Sequence, residues 1–579
     1  GGDAGSYEID VNFGQKPFKF PPPDGFQPLN GTNILPETVI ARPNQYFNTT
    51  LWSGDNVDGR VIDCGHQPDF VWIKLRNIIG VNAWTHNLYD SVRGFGPDKS
   101  LRTDTTDAQG QLADDYGYVD SATSNGFTVA KTGTGSYDWS LVNASGGNYV
   151  AWSWKAGGSK NTFNVDDVGY ANASDVGMNV GGQNSNAYDT SALWSGMMSG
   201  PSNSGVYTSL FDGTDGNSGG YEQPTDGNTL TFTPTGGITA NSSIEIYVYQ
   251  SSSTYSGSAD ITVNGTSIKT GAVQSALGTG SAGGYVNTGT KSLTTLTWSN
   301  PSGSNNDYRL MAIRVDGKIL VDSNQTPPNL PSIAPTGCSV GTKQGFSIIS
   351  YTGTGSAGTL PHGLSKAPDL IIMKGRNFAD DWRVYHSHLD NSEPEDYYMI
   401  LQSTNGKSAD QNASFMNDTA PTNTVFSLGT DSAINGDTRT MIAYLWHDVP
   451  GLQKFGTFTA NNSTDGPYVE LGFRPSIVWV KAASSAGDMT YASWLITDGE
   501  RSPTNVVSNG LFANKNVAEG KRGNGSDNYT GAWLDILSNG FKIRYTGTEV
   551  NGVSGQTYIY CAWAEAPAFN LYGGQSNAR

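Results

Sequence analysis

The sequence predicts an all-β protein: a tandem of jelly-roll or lectin-like β-sandwich modules, three of them homologous repeats, with one further β-sandwich inserted. Three observations predict it. The 579 residues include 73 Gly, 14 Trp, 28 Tyr and 21 Phe, with short aromatic and β-branched runs set between Gly-, Ser-, Thr- and Asn-rich turns. That composition suits pleated sheets joined by tight turns rather than helices. A proline, five mostly apolar residues and a lysine recur three times, and each recurrence is followed, 80, 72 and 82 residues after its lysine, by an aromatic run carrying a tryptophan. At ~100–200 residues per domain the length corresponds to several domains.

Residues 1–43 read as a connector: "GGDAGSYEIDVNFGQ" looks like the end of a preceding domain, and "KPFKFPPPDGF" is stiffened by proline. Repeat 1 spans 44–157. It is led by "YFNTTLW" ending at Trp52, continues through the buried-strand pattern Pro68-DFVWI-Lys74 and the turn-plus-strand "SNGFTV" from Ser124, and closes with "NYVAWSW" ending at Trp154. A short apolar run begun by proline reads as a buried strand. Residues 158–190 form a connecting arm. The Ser/Thr/Gly-rich stretch 191–325, with strands such as "SIEIYVYQ" and "YRLMAIRVDGKILVD", is the inserted β-sandwich, and 326–342, "QTPPNLPSIAPTG" onward, is a stiff Pro-rich linker.

Repeat 2, 343–452, has "GFSIISY" ending at Tyr351, Pro368-DLIIM-Lys374, "TNTVFSL" from Thr422 and "TMIAYLW" ending at Trp446. Repeat 3, 453–569, has "KFGTFTA" from Lys454, Pro475-SIVWV-Lys481, "SNGFKI" from Ser538 and "YIYCAWA" carrying Trp563; residues 570–579 are a tail. Lys74, Lys374 and Lys481 should occupy equivalent strand ends. The tryptophans should fill the space between the two sheets of each sandwich.

The formal net charge of −18 argues against a phosphate backbone as partner, and against an anionic membrane. No apolar run approaches the ~20 residues that span a bilayer. Cys64, Cys338 and Cys561 are too few and too scattered for a disulfide framework and form no CxxC pair, so they read as isolated free thiols.

Several residues could carry chemistry. In "IEIYVYQ" alternation puts Glu245, Tyr247 and Tyr249 on one face and Ile244, Ile246 and Val248 on the other, so the aliphatic face goes to the core. Tyr247, Tyr249 and Tyr255, with Trp194, are the candidates for stacking on sugar rings. Asp212, Asp215 and Asn217 in "FDGTDGN" offer hard oxygen ligands for Ca2+ on a Gly-rich turn. His386 and His388 in "VYHSHL" are two apart, hence on one strand face, and six such imidazoles on a threefold axis could hold a metal. The acid pairs Asp114/Asp115, Asp166/Asp167 and Glu393/Glu395 are the carboxylates a glycan hydrolase would draw on; none recurs between repeats, and solvated loops account for them.

Long stretches resemble a family of tailed-phage virion proteins, described as tail fibres or structural proteins of marine phages and cyanophages. They are "VNFGQKPF" (Val11 to Phe18), "PPDGF" (Pro22 to Phe26), "NTFNVDDVGYA" (Asn161 to Ala171), "HDVPGLQKFG" (His447 to Gly456), "GFRPSIVWVK" (Gly472 to Lys481) and "GGQSNAR" (Gly573 to Arg579). The resemblance covers nearly the whole chain. In such chains an SPRY or laminin-G-like domain often ends just before "NFGQ". The resemblance implies a virion part and carries no catalytic residues. Gly574-Gln575-Ser576-Asn577 also resembles the nucleophile block of sialate O-acetylesterase-like hydrolases. Only three residues follow Ser576, and the chain's one Asp-x-x-His, Asp63 to His66, lies far upstream in inverted order, so Ser576 is expected to be non-catalytic.

These readings point to a non-enzymatic tail fibre or spike, assembled in the host cytoplasm and exposed on the virion. It would contact host-surface glycan or protein through the insert and other virion proteins through its N-terminal part. The expected partner is itself, as a homotrimer, because each repeat has a face to bury and no disulfides to stiffen it. A capsid-bound fibre or decoration protein is the alternative, followed by a polysaccharide depolymerase.

Overall fold

The computed structural model describes residues 40–567, apart from 80–83, 112–115, 132–140, 181–186, 190–191, 203–206, 214–221, 226, 241–242, 251–259, 270–272, 274–281, 300–307, 326–330, 411 and 530. The connector 1–39, the tail and Ser576 therefore lie outside the described residues.

Each Pro-led run is a strand: Phe70–Leu75, Leu370–Gly375 and Phe473–Ala482. Pro68 and Pro368 sit just ahead of their strands, where a missing N–H breaks no ladder. Pro475 falls inside the third strand, and the ladder shifts register on both sides of it, which is how a sheet absorbs a proline.

The three repeats share one antiparallel topology. In each, the lead strand pairs with the Trp strand, which pairs with the Pro-led strand, which pairs with a further strand. These are Phe47–Ser53, Asn148–Trp154, Phe70–Leu75 and Asn87–Asp90 in repeat 1. In repeat 2 they are Phe346–Thr352, Thr440–Trp446, Leu370–Gly375 and Arg383–His386. In repeat 3 they are Gln453–Thr459, Thr557–Pro567, Phe473–Ala482 and Leu495–Asp498. The register is conserved to the residue: Phe70, Leu370 and Ile477 lie opposite Trp154, Trp446 and Trp563, and Lys74, Lys374 and Lys481 opposite Val150, Ile442 and Ile559. The "SNGF" segments begin second-sheet strands, Gly126–Ala130 and Gly540–Ile543, each central in a three-stranded sheet; Val425–Leu428 is the counterpart in repeat 2.

Two corrections concern the segments between repeats. Part of the expected arm is a hairpin, Phe163–Val165 and Val168–Tyr170, and the expected linker ends in a strand, Pro335–Gly341. The two join in parallel, Cys338 opposite Phe163, and extend the sheet of repeat 2 to nine strands. Pro335 is tolerated because it is the first residue of its strand.

Both faces of the inner strands are buried, but they face different cores. In repeat 1, Val71, Ile73 and Leu75 meet Trp52, Phe127 and Val129 inside the sandwich. Phe70, Trp72, Trp152 and Trp154 point the other way, into a core shared with Leu370, Tyr444 and Trp446 of repeat 2 and Ile477, Trp479 and Trp563 of repeat 3. Trp154, Trp446 and Trp563 thus form a triangle, with ring centroids 6.2, 6.0 and 5.3 Å apart. This corrects the expected placement: these tryptophans do not fill a single sandwich but close three of them onto one another.

Polar groups repeat the closure in cyclic order. Beside the Pro-strand lysines, His86 donates from Nε2 to Phe512 O at 2.9 Å, its Nδ1 being occupied by the Trp72 indole; Trp382 Nε1 donates to Arg102 O at 2.8 Å and Trp494 Nε1 to Ile400 O at 3.2 Å. Each repeat reaches one neighbour: 1 to 3, 2 to 1, 3 to 2. Lys374 Nζ donates to Thr106 O of repeat 1, and Lys481 Nζ to Thr404 O and Asn405 O of repeat 2. Burial pulls Lys74, Lys374 and Lys481 down to about 7, 8 and 7. Ringing an ammonium with carbonyls opposes that pull by occupying its donors. The faces on which a homotrimer was expected to close are thus covered within one chain, so a homotrimer would have to be built through other surfaces.

Ala173–Ala334 with Gly358–Gly363 form a second unit. Two five-stranded sheets, one containing Ile244–Gln250 and Tyr308–Val315, the other Thr229–Phe232 and Leu296–Ser299, enclose Ile244, Ile246, Val248, Leu310, Phe232 and Trp298.

Candidate functional site

In the inserted sandwich the alternation in "IEIYVYQ" has the structural consequence its sequence implies. Ile244, Ile246 and Val248 are fully buried, and Glu245, Tyr247 and Tyr249 are half-buried on the opposite face. The neighbouring strand Ala282–Asn287 sets Tyr285 opposite Tyr247 and Gly283 opposite Tyr249. Tyr247 and Tyr285 meet edge to face at 5.2 Å and pack on Ala312, Ile319 and Val321, so much of that pair is committed to packing. Arg314 lies 3.6 Å over the Tyr285 ring and pairs with Glu245 at 2.7 Å. Arg309 lies 5.9 Å from the Tyr249 ring. Gly283 is exposed, and a Cβ there would stand 2.9 Å from the Tyr249 ring. The same Cβ would stand 3.2 Å from the Tyr247 ring, so the glycine lets both rings lie close over its strand, and Tyr249 remains partly exposed beside a cation.

The other expected sites fare differently. Trp194 lies in the 3-10 helix Trp194–Met197, is buried in the insert core and meets Phe232 edge-on at 6.4 Å, so it offers no stacking face. Tyr255, Asp215, Asn217 and the pair Asp114/Asp115 lie outside the described residues. Asp212 is half-buried beside the core residue Phe211.

The His386/His388 metal site is corrected. The strand ends at His386, so His388 sits in the following turn, exposed, while His386 is fully buried. Both nitrogens of His386 are engaged: Nδ1 accepts from the His388 N–H at 3.2 Å and Nε2 reaches Tyr560 O at 3.3 Å. Burial holds the ring neutral, at about 3. Among the described residues no group of three or more His, Cys, Asp or Glu could hold a metal ion.

The remaining acid pairs have structural surroundings. Asp166 and Asp167 form the left-handed turn of the hairpin 163–170, with φ of 49° and 66°; Asp166 accepts from Thr342 N and Oγ1, and Asp167 pairs with Lys155 at 2.6 Å. Glu393 precedes the short helix Pro394–Asp396 and Glu395 lies within it. The three cysteines are free and buried, and burial pushes Cys338 up to about 12.

A cleft the sequence did not announce lies in the unit of the repeats. Gln45, Tyr46, His66, Gln67, Lys155 and Lys160 line a space of about 510 Å3, and Tyr46, Lys155 and Asp167 also line an adjoining space of about 340 Å3 that ends at Lys343. Buried Asp69 shapes its wall by accepting the N–H groups of Ala156 and Gly158 at 2.7 and 3.0 Å, the latter a glycine at φ +89°. Gln344 pins the same loop by donating to Ala156 O at 2.6 Å. His66 is 6% exposed; burial lowers its imidazole to about 4 against the opposing pull of the Asn44 and Cys64 backbone, with which neither ring nitrogen makes a well-formed hydrogen bond.

No described helix is long and apolar enough to cross a membrane. Comparison with curated proteins and with solved structures finds no match. Residues 42–190 and 323–567, the three repeats without the insert, match a protein family described as a domain of unknown function. More than half of the sequence lies within that match, and the chain therefore belongs to the family described as Domain of unknown function (DUF7483).

Proposed function

We propose that the chain is a non-enzymatic surface appendage of a tailed-phage virion, a fibre or spike, whose inserted sandwich contacts host-surface glycan. The resemblance of its long sequence motifs to virion proteins supports the particle. The observation that carries the contact role is the insert's partly exposed Tyr249 ring, lying close over the exposed Gly283 and flanked by Arg309. A partly exposed ring beside a guanidinium suits a sugar: the apolar face of the pyranose stacks on the ring and its hydroxyls accept hydrogen bonds from the guanidinium. The closed core of the repeats supports a structural role, because it gives a chain with no disulfide among its described residues a stiff body.

The test is retention of the purified chain on bead-bound neutral bacterial surface polysaccharides. The native chain is expected to be retained on at least one, and Tyr249→Ala with Arg309→Ala to lose at least tenfold in affinity while keeping its unfolding temperature. Reducing ends should not accumulate. Retention that survives the double change would exclude the insert face, and release of reducing ends would make the chain a depolymerase.

A further inference from the structure

We propose that the cleft between Tyr46, His66, Lys160 and Lys343 is a second saccharide site, selective for an acidic sugar such as a uronic acid. The inference rests on the glycan-contact reading but places a site in the body of the repeats. The argument begins with charge. Lys155 is paired with Asp167, and Asp166 is held by Thr342. Lys155, Lys160 and Lys343 thus stand against these two carboxylates, so the lining carries one net positive charge, with the exposed ammonium groups of Lys160 and Lys343 at its two ends, in a chain whose net charge is −18. A local cationic spot on an acidic protein attracts an anion and repels little else.

The rest of the lining argues for a sugar rather than a bare anion. Tyr46 offers a half-buried ring beneath Lys343, whose Nζ lies 6.0 Å from its centroid, and Gln45 and Gln67 offer amides that both donate and accept. His66 supplies the independent sign of a ligand. It lines the cleft, and although the Asn44 and Cys64 backbone lies near its ring, neither nitrogen makes a well-formed hydrogen bond, which is costly for a buried polar group. A neutral imidazole has one donor and one acceptor, and a sugar hydroxyl is the complement of either.

Calorimetric titration of the full chain with a uronic-acid oligosaccharide tests this, with a neutral hexose oligomer of equal length and inorganic sulfate as comparisons. The native chain is expected to bind the uronate at least tenfold more tightly than either, with affinity falling as salt rises. Lys160→Glu with Lys343→Glu should abolish binding without lowering the unfolding temperature, since both side chains are exposed. His66→Phe should weaken it for uronate and neutral sugar alike. Tyr249→Ala in the insert should leave it unchanged. Equal binding of sulfate would reduce the site to an anion spot, and undiminished binding by the lysine variant, or none by the native chain, would overturn the proposal. Uronate binding lost only in Tyr249→Ala would overturn the cleft while leaving the insert reading intact.

Discussion

Trp563→Ala is expected to destabilise the unit of the three repeats by about 3–5 kcal/mol, the range for deleting a fully buried tryptophan. Trp563 is 0% exposed and touches every repeat: Trp154 at 5.3 Å and Phe47 at 5.9 Å, Trp446 at 6.0 Å, Trp479 at 5.1 Å and Phe455 at 5.6 Å. Its loss leaves a cavity that no single sandwich can collapse into, because the walls belong to three sheets. Trp563→Phe should cost far less, since the indole nitrogens of Trp154, Trp446 and Trp563 have no hydrogen-bond partner to lose. Denaturant unfolding measures both. A double-mutant cycle with Trp154→Ala should show coupling of roughly 0.5–3 kcal/mol. A cost below about 1 kcal/mol for Trp563→Ala, or no coupling, would mean that the repeats stand independently.

Asp90→Ala should cost a similar amount for a different reason. Asp90 and Arg93 are both fully buried, and the carboxylate accepts from Arg93 Nε at 2.5 Å, Arg93 N at 2.8 Å, Val92 N at 3.1 Å and, across the repeat boundary, Tyr444 OH at 2.7 Å. Removing it strands a guanidinium in the core, which costs about 3–5 kcal/mol. Asp90→Ala combined with Arg93→Met should recover much of the loss, because the uncompensated charge goes with it. Repeat 3 builds the same device from Asp498 and Arg501, with Trp152 Nε1 donating to Asp498 at 3.1 Å. Repeat 2 substitutes His386. Thermal unfolding of the single and double variants decides the matter, and a double variant as unstable as the single one would show that packing, not charge, explains the loss.

The repeats were legible because a strand's periodicity and a lysine at fixed offset survive in all three copies, down to the register that sets Phe70, Leu370 and Ile477 against the tryptophans. What pattern could not assign was which of two buried faces meets which core. Both faces of "FVWIKL" are apolar, so alternation was silent on the shared centre, and Trp154, Trp446 and Trp563 were placed in the wrong layer. In the insert, by contrast, alternation between isoleucine and tyrosine separated core from surface correctly. The His386/His388 reading failed because two-residue spacing implies a common face only while the strand continues, and this one ends at His386. The cleft was invisible because its lining comes from segments around Tyr46, His66, Lys155 and Lys343, and only the packing of two repeats brings those segments together.

A density map of the tailed-phage particles proposed to carry this chain tests most directly whether it is an outward-facing appendage. The map is predicted to show the three-repeat body on the outside of the particle, at the tail or the capsid surface, with the inserted sandwich open to solvent. Particles from which the chain is absent, or in which it is enclosed within the capsid, would contradict that role.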